Sequence, residues 1–128
     1  MMRFAALALA ATVMAAAPLL VRATACVLPP PDGADVEWSP PSMAGRILIV
    51  TPDLVVVRTD AGISYSVAVD KATDLFTAYG GGVEFTEIKP GQYADVWLKD
   101  CRPPGKSITR AAAIRVCSLT PEPCPASY

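Results

Sequence analysis

Residues 45–69 read GRILIVTPDLVVVRTDAGISYSVAV, and this stretch predicts a run of three β-strands. Valine and isoleucine dominate it, as is typical of pleated, half-buried strands. We place the strands at residues 45–51, 54–59 and 63–69. The Pro52-Asp53 pair between the first two is a turn signal. The Asp60-Ala61-Gly62 triplet suits a tight hairpin, with Gly62 in the left-handed region.

The third strand of this run alternates between two faces. Because successive side chains of a strand point to opposite sides, such alternation indicates one buried and one solvated face. The first face carries Ile63, Tyr65, Val67 and Val69, and the second carries Ser64, Ser66 and Ala68.

Two further strands are predicted at residues 92–101 and 107–117, joined by the turn 102–106. In the fourth strand one face carries Ala94, Val96 and Leu98, and the other carries Tyr93, Asp95, Trp97 and Lys99. One side of the fifth strand carries Ile108, Ala112, Ile114 and Val116. Arg110 interrupts that side, which indicates a bulge.

The segment between the third and fourth strands is less regular. Residues 71–76 could form one turn of helix, and the triplet Gly80-Gly81-Gly82 predicts a loop. Lys89-Pro90-Gly91 predicts a type II turn. The predicted fold is therefore all-β: a small five-stranded OB-like antiparallel barrel, residues 44–118, with a long loop or short helix between strands 3 and 4.

The N-terminus, residues 1–25, has the pattern of a secretory signal peptide. Arg3 precedes an apolar run of about 18 residues, which is at the short edge of a membrane-spanning helix, and Ala23-Thr24-Ala25 is a cleavage motif. We expect cleavage and no membrane span afterwards. Losing Arg3 and Arg22 leaves nine basic and twelve acidic side chains, so the mature chain is mildly acidic.

A Pro-rich N-terminal segment, residues 26–43, precedes the barrel, and a C-terminal tail, residues 119–128, follows it. Cys26 stands directly after the cleavage motif, where bacterial lipoproteins carry their lipid. Ala23 occupies the place where leucine is usual in that motif, so we expect a periplasmic or secreted protein, with a lipoprotein anchored through Cys26 as the alternative.

Four cysteines, Cys26, Cys101, Cys117 and Cys124, are enough for two disulfides in an oxidising compartment. In the predicted hairpin Cys101 and Cys117 would lie more than about 20 Å apart, too far for a disulfide. This favours Cys26–Cys101 with Cys117–Cys124. The pairing Cys26–Cys117 with Cys101–Cys124 remains open.

The chain contains no histidine, which excludes an imidazole base and the catalytic triads that use one. It has no C-x-x-C motif either, and we expect neither a metal nor a cofactor. The acidic mature charge and scattered basic residues argue against nucleic acid. A carboxylate-dependent enzyme or enzyme subunit stays open; its candidate acids are Asp74, Glu84, Glu87 and Asp95.

The best candidate binding site is one strand face. Aromatic and arginine groups on a half-exposed sheet are common interaction anchors. The candidate residues are Tyr93, Asp95, Trp97, Lys99 and Arg115. The alternative is that Trp97 packs under the Pro-rich N-terminal segment and only closes the barrel.

Several turns and core positions together have a familiar pattern. They are Gly45-Arg46-Ile47, Val67-Ala68-Val69 leading to Thr73, Ile88-Lys89-Pro90-Gly91 before Ala94-Asp95-Val96, and Ala112-Ala113-Ile114. Over residues 44–116 the chain resembles the small extracytoplasmic bacterial OB-like barrels grouped as domains of unknown function. The resemblance implies an exported β-barrel module and supplies no catalytic residues. We therefore expect a non-catalytic module that binds a protein or small ligand.

Overall fold

The computed structural model describes residues 10–16, 25–30, 36–78 and 81–118. Over these residues the chain is all-β, as predicted, with two short 3-10 helices at Phe85–Glu87 and Lys99–Cys101. The strands in chain order are β1 (Met43–Thr51), β2 (Leu54–Thr59), β3 (Ser64–Ala68), β4 (Asp74–Thr77), β5 (Tyr93–Leu98) and β6 (Thr109–Ser118).

Five of these strands close into a barrel. β1 lies between β2 and β5, β2 pairs with β3, and β5 pairs with β6, all antiparallel. The barrel closes where β3 meets β6, with Val67 opposite Thr109 and Ala68 opposite Arg110. The predicted small five-stranded barrel is therefore confirmed, and because this last contact is parallel, its strands are mixed rather than purely antiparallel. Closure leaves fewer bare edges that could pair with other chains.

β4 lies in the segment for which the sequence predicts a long loop or a short helix, with residues 71–76 as the possible helical turn. It pairs in parallel with β6, and Leu75 lies opposite Ile114. Thr73 anchors its start, since the Thr73 hydroxyl donates a hydrogen bond of 2.8 Å to the buried Ala111 carbonyl. The edge of β6 beyond β3 therefore receives a sixth strand, and this pairing overrides the weak helical tendency of a short polar segment.

The core fills the barrel interior with side chains from β1, β2, β3, β5 and β6 and from the β4–β5 connection. The predicted inward residues of the fourth strand, Ala94, Val96 and Leu98, are all fully buried. The other buried members are Met43, Ile47, Val55, Val57, Val67, Val69, Ile88, Ala111, Ile114 and Val116. Burial of this set is the main favourable term for a barrel this small.

The predicted bulge in the last strand exists, but it lies at Ala112 rather than at Arg110. Trp97 pairs with Ala113 and Leu98 pairs with Ala111, so Ala112 is the extra residue. The bulge changes which side chains face inward. As a result Ala111 is buried, while Ile108, predicted on the inner side, is 61% exposed.

Both glycine turns form as the sequence predicts. Gly62, in the β2–β3 hairpin, has φ of 80°, and Gly91, before β5, has φ of 93°. These are left-handed conformations that glycine adopts without steric cost.

The N-terminal segment lies against the barrel and is tied to it by a disulfide. Cys26 is bonded to Cys101, with the two Cα atoms 5.5 Å apart, as favoured from the sequence. Cys117 is also disulfide-bonded. Its predicted partner Cys124 lies outside the described residues, as does most of the predicted signal peptide. No helix of the described ranges is long and apolar enough to cross a membrane.

Hydrogen bonds continue this attachment along the segment. The Ser42 amide donates to the Val96 carbonyl at 2.8 Å, and the Ser42 hydroxyl accepts from the Leu98 amide at 3.0 Å. Further upstream, the Ser39 amide donates to the Val27 carbonyl at 2.8 Å. The N-terminal segment is thus hydrogen-bonded along the C-terminal half of β5, at Val96 and Leu98.

Removing the Cys26–Cys101 disulfide should destabilise the protein. The bond closes a chain separation of 75 residues, so its loss is expected to lower the free energy of unfolding by about 2–4 kcal/mol. The Cys26→Ser/Cys101→Ser variant should show this in urea unfolding followed by tryptophan fluorescence. An unfolding midpoint equal to that of the parent would contradict it.

Candidate functional site

The predicted binding face on β5 divides into three environments. Tyr93 is half-buried at one end of the strand, Asp95 and Trp97 are buried in its middle, and Lys99 is exposed beyond its other end. The N-terminal segment and β4 cover the middle of the face. The structure therefore does not bring the predicted residues together on one open surface.

Asp95 and Arg115, which are cross-strand partners, form a buried ion pair. Their side chains are only 6% and 8% exposed. The Arg115 Nε donates to Asp95 Oδ2 at 2.9 Å, and Nη2 donates to the same oxygen. Burial raises the pKa of Asp95, and the hydrogen bonds and charge of Arg115 oppose that rise. Each group compensates a charge that would otherwise be costly to bury.

Trp97 lies beside this pair and is fully buried. Its ring stacks on Phe76 with centroids 6.1 Å apart, and the Arg115 guanidinium carbon lies 5.7 Å from the ring centroid. The indole Nε1 donates to the Ser39 carbonyl at 2.8 Å. We call Phe76, Asp95, Trp97 and Arg115 the tryptophan cluster. These contacts fix the N-terminal segment and β4 onto the barrel, which is a packing role.

An open cleft of about 340 Å³ lies near the N-terminal end of β5, beside Tyr93. We call it the arginine cleft. It is lined by Arg46, Leu48, Arg58, Thr59, Asp60 and Tyr93. Of the predicted site residues only Tyr93 belongs to it.

The strand register places the two arginines side by side. Arg46 of β1 lies opposite Arg58 of β2, and on its other side Arg46 lies opposite Tyr93 of β5. Both arginines are exposed. Neither forms an ion pair with any residue in the described ranges, although other arginines there do. The cleft therefore presents, beside an aromatic ring, two guanidinium groups that form no ion pair within the described part of the chain.

A close approach of the β1 and β2 backbones at Gly45 supports the side-by-side placement of the two arginines. A Cβ at Gly45 would overlap the Arg58 carbonyl group and lie 2.9 Å from Thr59 Cα, so β1 and β2 come together here only because position 45 is glycine. The Arg58 side chain extends toward the β2–β3 turn, where its Nη2 would lie 3.7 Å from a Cβ at Gly62.

Among the described residues that line the cleft, Asp60 supplies the one carboxylate. It accepts a hydrogen bond of 3.1 Å from the Tyr93 hydroxyl through Oδ2. Desolvation raises the pKa of Tyr93, and the hydrogen bond to Asp60 and the negative charges of Asp60 and Asp95 add to the rise. The Tyr93 hydroxyl therefore stays protonated and keeps its ring fixed against the turn.

The sequence analysis did not identify Arg46 and Arg58 as site residues. A simple hairpin around Pro52-Asp53 pairs Thr51 with Leu54 and would set Arg46 opposite Thr59. The register shifts between Ile47 and Ile49, so Leu48 is an extra residue and Arg46 faces Arg58 instead. The sequence signal that was available is that β1 and β2 each carry an arginine at the end away from the Pro52-Asp53 turn.

Comparison with protein families, with curated proteins and with solved structures finds no match to this chain. The small five-stranded barrel is therefore established by the structure alone.

Proposed function

We propose that this protein is an exported, non-catalytic binding module that holds an anionic group in the arginine cleft. The observation that carries the proposal is a pair of adjacent arginines that form no ion pair with any carboxylate of the described residues. We further propose that the barrel is of the OB type, a fold whose strand faces and loops bind ligands.

Like charges placed directly opposite each other across a sheet destabilise it. Arg46 and Arg58 are opposed in this way, and no described carboxylate neutralises either one. An anion bound between them would relieve the repulsion. Guanidinium groups suit that role because their planar N–H forks match the oxygens of carboxylate and phosphate.

The positions of the acidic residues support binding over catalysis. Asp74, Glu84 and Glu87 are exposed, and the Glu87 carboxylate accepts a 2.8 Å hydrogen bond from the Glu84 amide in a capping arrangement. Asp95 is engaged by Arg115. Carboxylate catalysis needs two acids facing one cleft. Of the acidic residues that the structure describes, Asp60 alone lines the arginine cleft.

The Cys26–Cys101 disulfide supports export with simple cleavage. Disulfides persist in oxidising compartments such as the periplasm. The bond occupies the Cys26 sulfur, which a lipid anchor would need. We therefore favour a periplasmic or secreted protein over a lipoprotein.

The proposal predicts that simple anions stabilise the protein through the two arginines. Rising phosphate or acetate should raise the melting temperature, because a ligand that binds only the folded state stabilises it. The Arg46→Gln/Arg58→Gln variant should lose this response. Without added anion it should be at least as stable as the parent, since the repulsion is gone.

The matched control is Lys99→Gln/Lys106→Gln, which removes the same charge from exposed positions at the other end of β5. It should keep the full anion response. Equal responses of parent and both variants would show a general salt effect and would overturn the proposal. Differential scanning fluorimetry gives this measurement.

A further inference from the structure

We infer that the anionic group held in the arginine cleft is the C-terminal carboxylate of a peptide or protein partner. This inference rests on the proposed function and names the ligand's chemical class. It comes from three kinds of group that line the cleft together: guanidinium donors, a carboxylate acceptor and an apolar side chain.

The charge of the cleft suits a ligand with one negative group. Arg46 and Arg58 contribute two positive charges and Asp60 contributes one negative charge, so the cleft as a whole carries about one positive charge. A multiply charged anion would bring its second charge close to Asp60. A single carboxylate, bridged by the two guanidinium groups, matches both the charge and the planar geometry.

The Asp60 Oδ1 atom can accept a hydrogen bond from a ligand donor that lies close to the anionic group. The Oδ2 atom of Asp60 accepts from Tyr93, and no described residue donates to Oδ1. The amide N–H nearest the end of a peptide is such a donor, placed a few bonds from the carboxylate. An inorganic anion lacks this amide, and the negative charge of Asp60 should make it bind more weakly than a peptide carboxylate.

Leu48 forms the apolar wall of the cleft. It is 39% exposed because the β1 bulge turns it outward, and the next residue, Ile49, is 52% exposed. Leu48 and Ile49 are adjacent, and contiguous exposed apolar side chains rimmed by polar residues mark interaction sites. A terminal leucine or valine of the ligand would cover Leu48 while its carboxylate meets the arginines.

The size of the cleft fits the end of a chain. At about 340 Å³ it is at the small end of ligand sites, so it holds one or two residues and leaves the rest of the partner outside. Capture of a terminal carboxylate is an established mode of peptide recognition.

The test is calorimetric titration of the mature protein with acetyl-Gly-Gly-Leu and with the same peptide ending in a carboxamide. The free acid should bind at least about tenfold more tightly than the amide, as expected when a charged hydrogen-bonded contact is lost. Acetyl-Gly-Gly-Gly should bind more weakly than the leucine peptide. Sodium phosphate and sodium glucuronate are titrated separately, and their affinities are compared with that of the peptide.

The Asp60→Asn variant tests whether Asp60 favours a peptide over an inorganic anion. It keeps an acceptor for Tyr93 but removes the negative charge, so phosphate binding should strengthen while binding of acetyl-Gly-Gly-Leu weakens or stays the same. The ratio of peptide to phosphate affinity should fall. An unchanged ratio would contradict the assigned role of Asp60.

The outcomes distinguish this inference from the function on which it rests. If phosphate or glucuronate binds, then equal binding of acid and amide, or tighter binding of either anion than of the peptide, overturns the peptide terminus and leaves anion binding in place. Failure of every anion to bind, with the protein folded, overturns both.

Discussion

Replacing Trp97 with alanine is expected to lower the free energy of unfolding by about 3–5 kcal/mol, as large-to-small changes of buried aromatic residues do. The ring is fully buried and contacts both Phe76 and Arg115. The variant also loses the hydrogen bond that Nε1 donates to the Ser39 carbonyl. Small domains have only about 5–15 kcal/mol of stability in total, so the variant should be close to unfolding.

The Trp97→Phe variant separates packing from hydrogen bonding. It keeps a ring against Phe76 but leaves the Ser39 carbonyl without its donor, so it should cost about 1 kcal/mol for the bond plus a small packing loss. Urea unfolding monitored by far-UV circular dichroism measures both changes. If Trp97→Ala unfolded at the parent midpoint, the packing role of Trp97 would be refuted, and the predicted exposed strand face would regain support.

Replacing Arg115 with methionine should be comparably damaging at neutral pH. Methionine fills much of the arginine's volume, but it leaves the Asp95 carboxylate buried without a cation. Breaking one side of a buried ion pair in this way typically costs about 3–5 kcal/mol. Both side chains are almost fully buried, so solvent does little to reduce the cost.

The loss should depend on pH in a defined direction. Burial already raises the pKa of Asp95, and Arg115 is the group among the described residues that opposes the rise. A carboxyl group whose pKa is higher in the folded state gives stability that is present below its ordinary value of 3.8 and is lost as pH rises through the folded value. Arg115→Met should therefore recover stability relative to the parent on acidification.

The double variant Arg115→Met/Asp95→Leu is the control for this argument. It removes both charges, and replacing a buried ion pair by apolar residues is often neutral or stabilising. Its unfolding free energy at neutral pH should be well above that of Arg115→Met alone. If the single and double variants were equally stable and showed the same pH dependence, the uncompensated Asp95 charge would not be the cause.

Much of the barrel could be predicted because residues 45–69 carry local signals that agree with each other. The alternation of β3, the glycine turns at Gly62 and Gly91 and the inward set Ala94, Val96 and Leu98 all depend on near neighbours in sequence. β4 could not be predicted in the same way. Its four residues have a weak local preference, and they form a strand only because β6 offers an edge that no local pattern reveals.

The candidate site was harder to predict for a related reason. Alternation correctly placed Asp95 and Trp97 on the outer face of β5, but whether an outer face is open depends on what covers it. Here the N-terminal segment, fixed by the Cys26–Cys101 bond, covers it. The arginine cleft depends on a one-residue bulge that sets Arg46 opposite Arg58, and a register shift of this kind is not visible in composition or periodicity.

The most direct test of anion binding at the arginine cleft is a phosphate titration of the ¹⁵N-labelled mature protein followed by amide chemical shifts. We predict saturable shifts confined to the backbone around Arg46, Arg58 and Asp60, which disappear in Arg46→Gln/Arg58→Gln. Shifts centred on Lys99 and Lys106, or small unsaturable shifts spread over the whole surface, would contradict it.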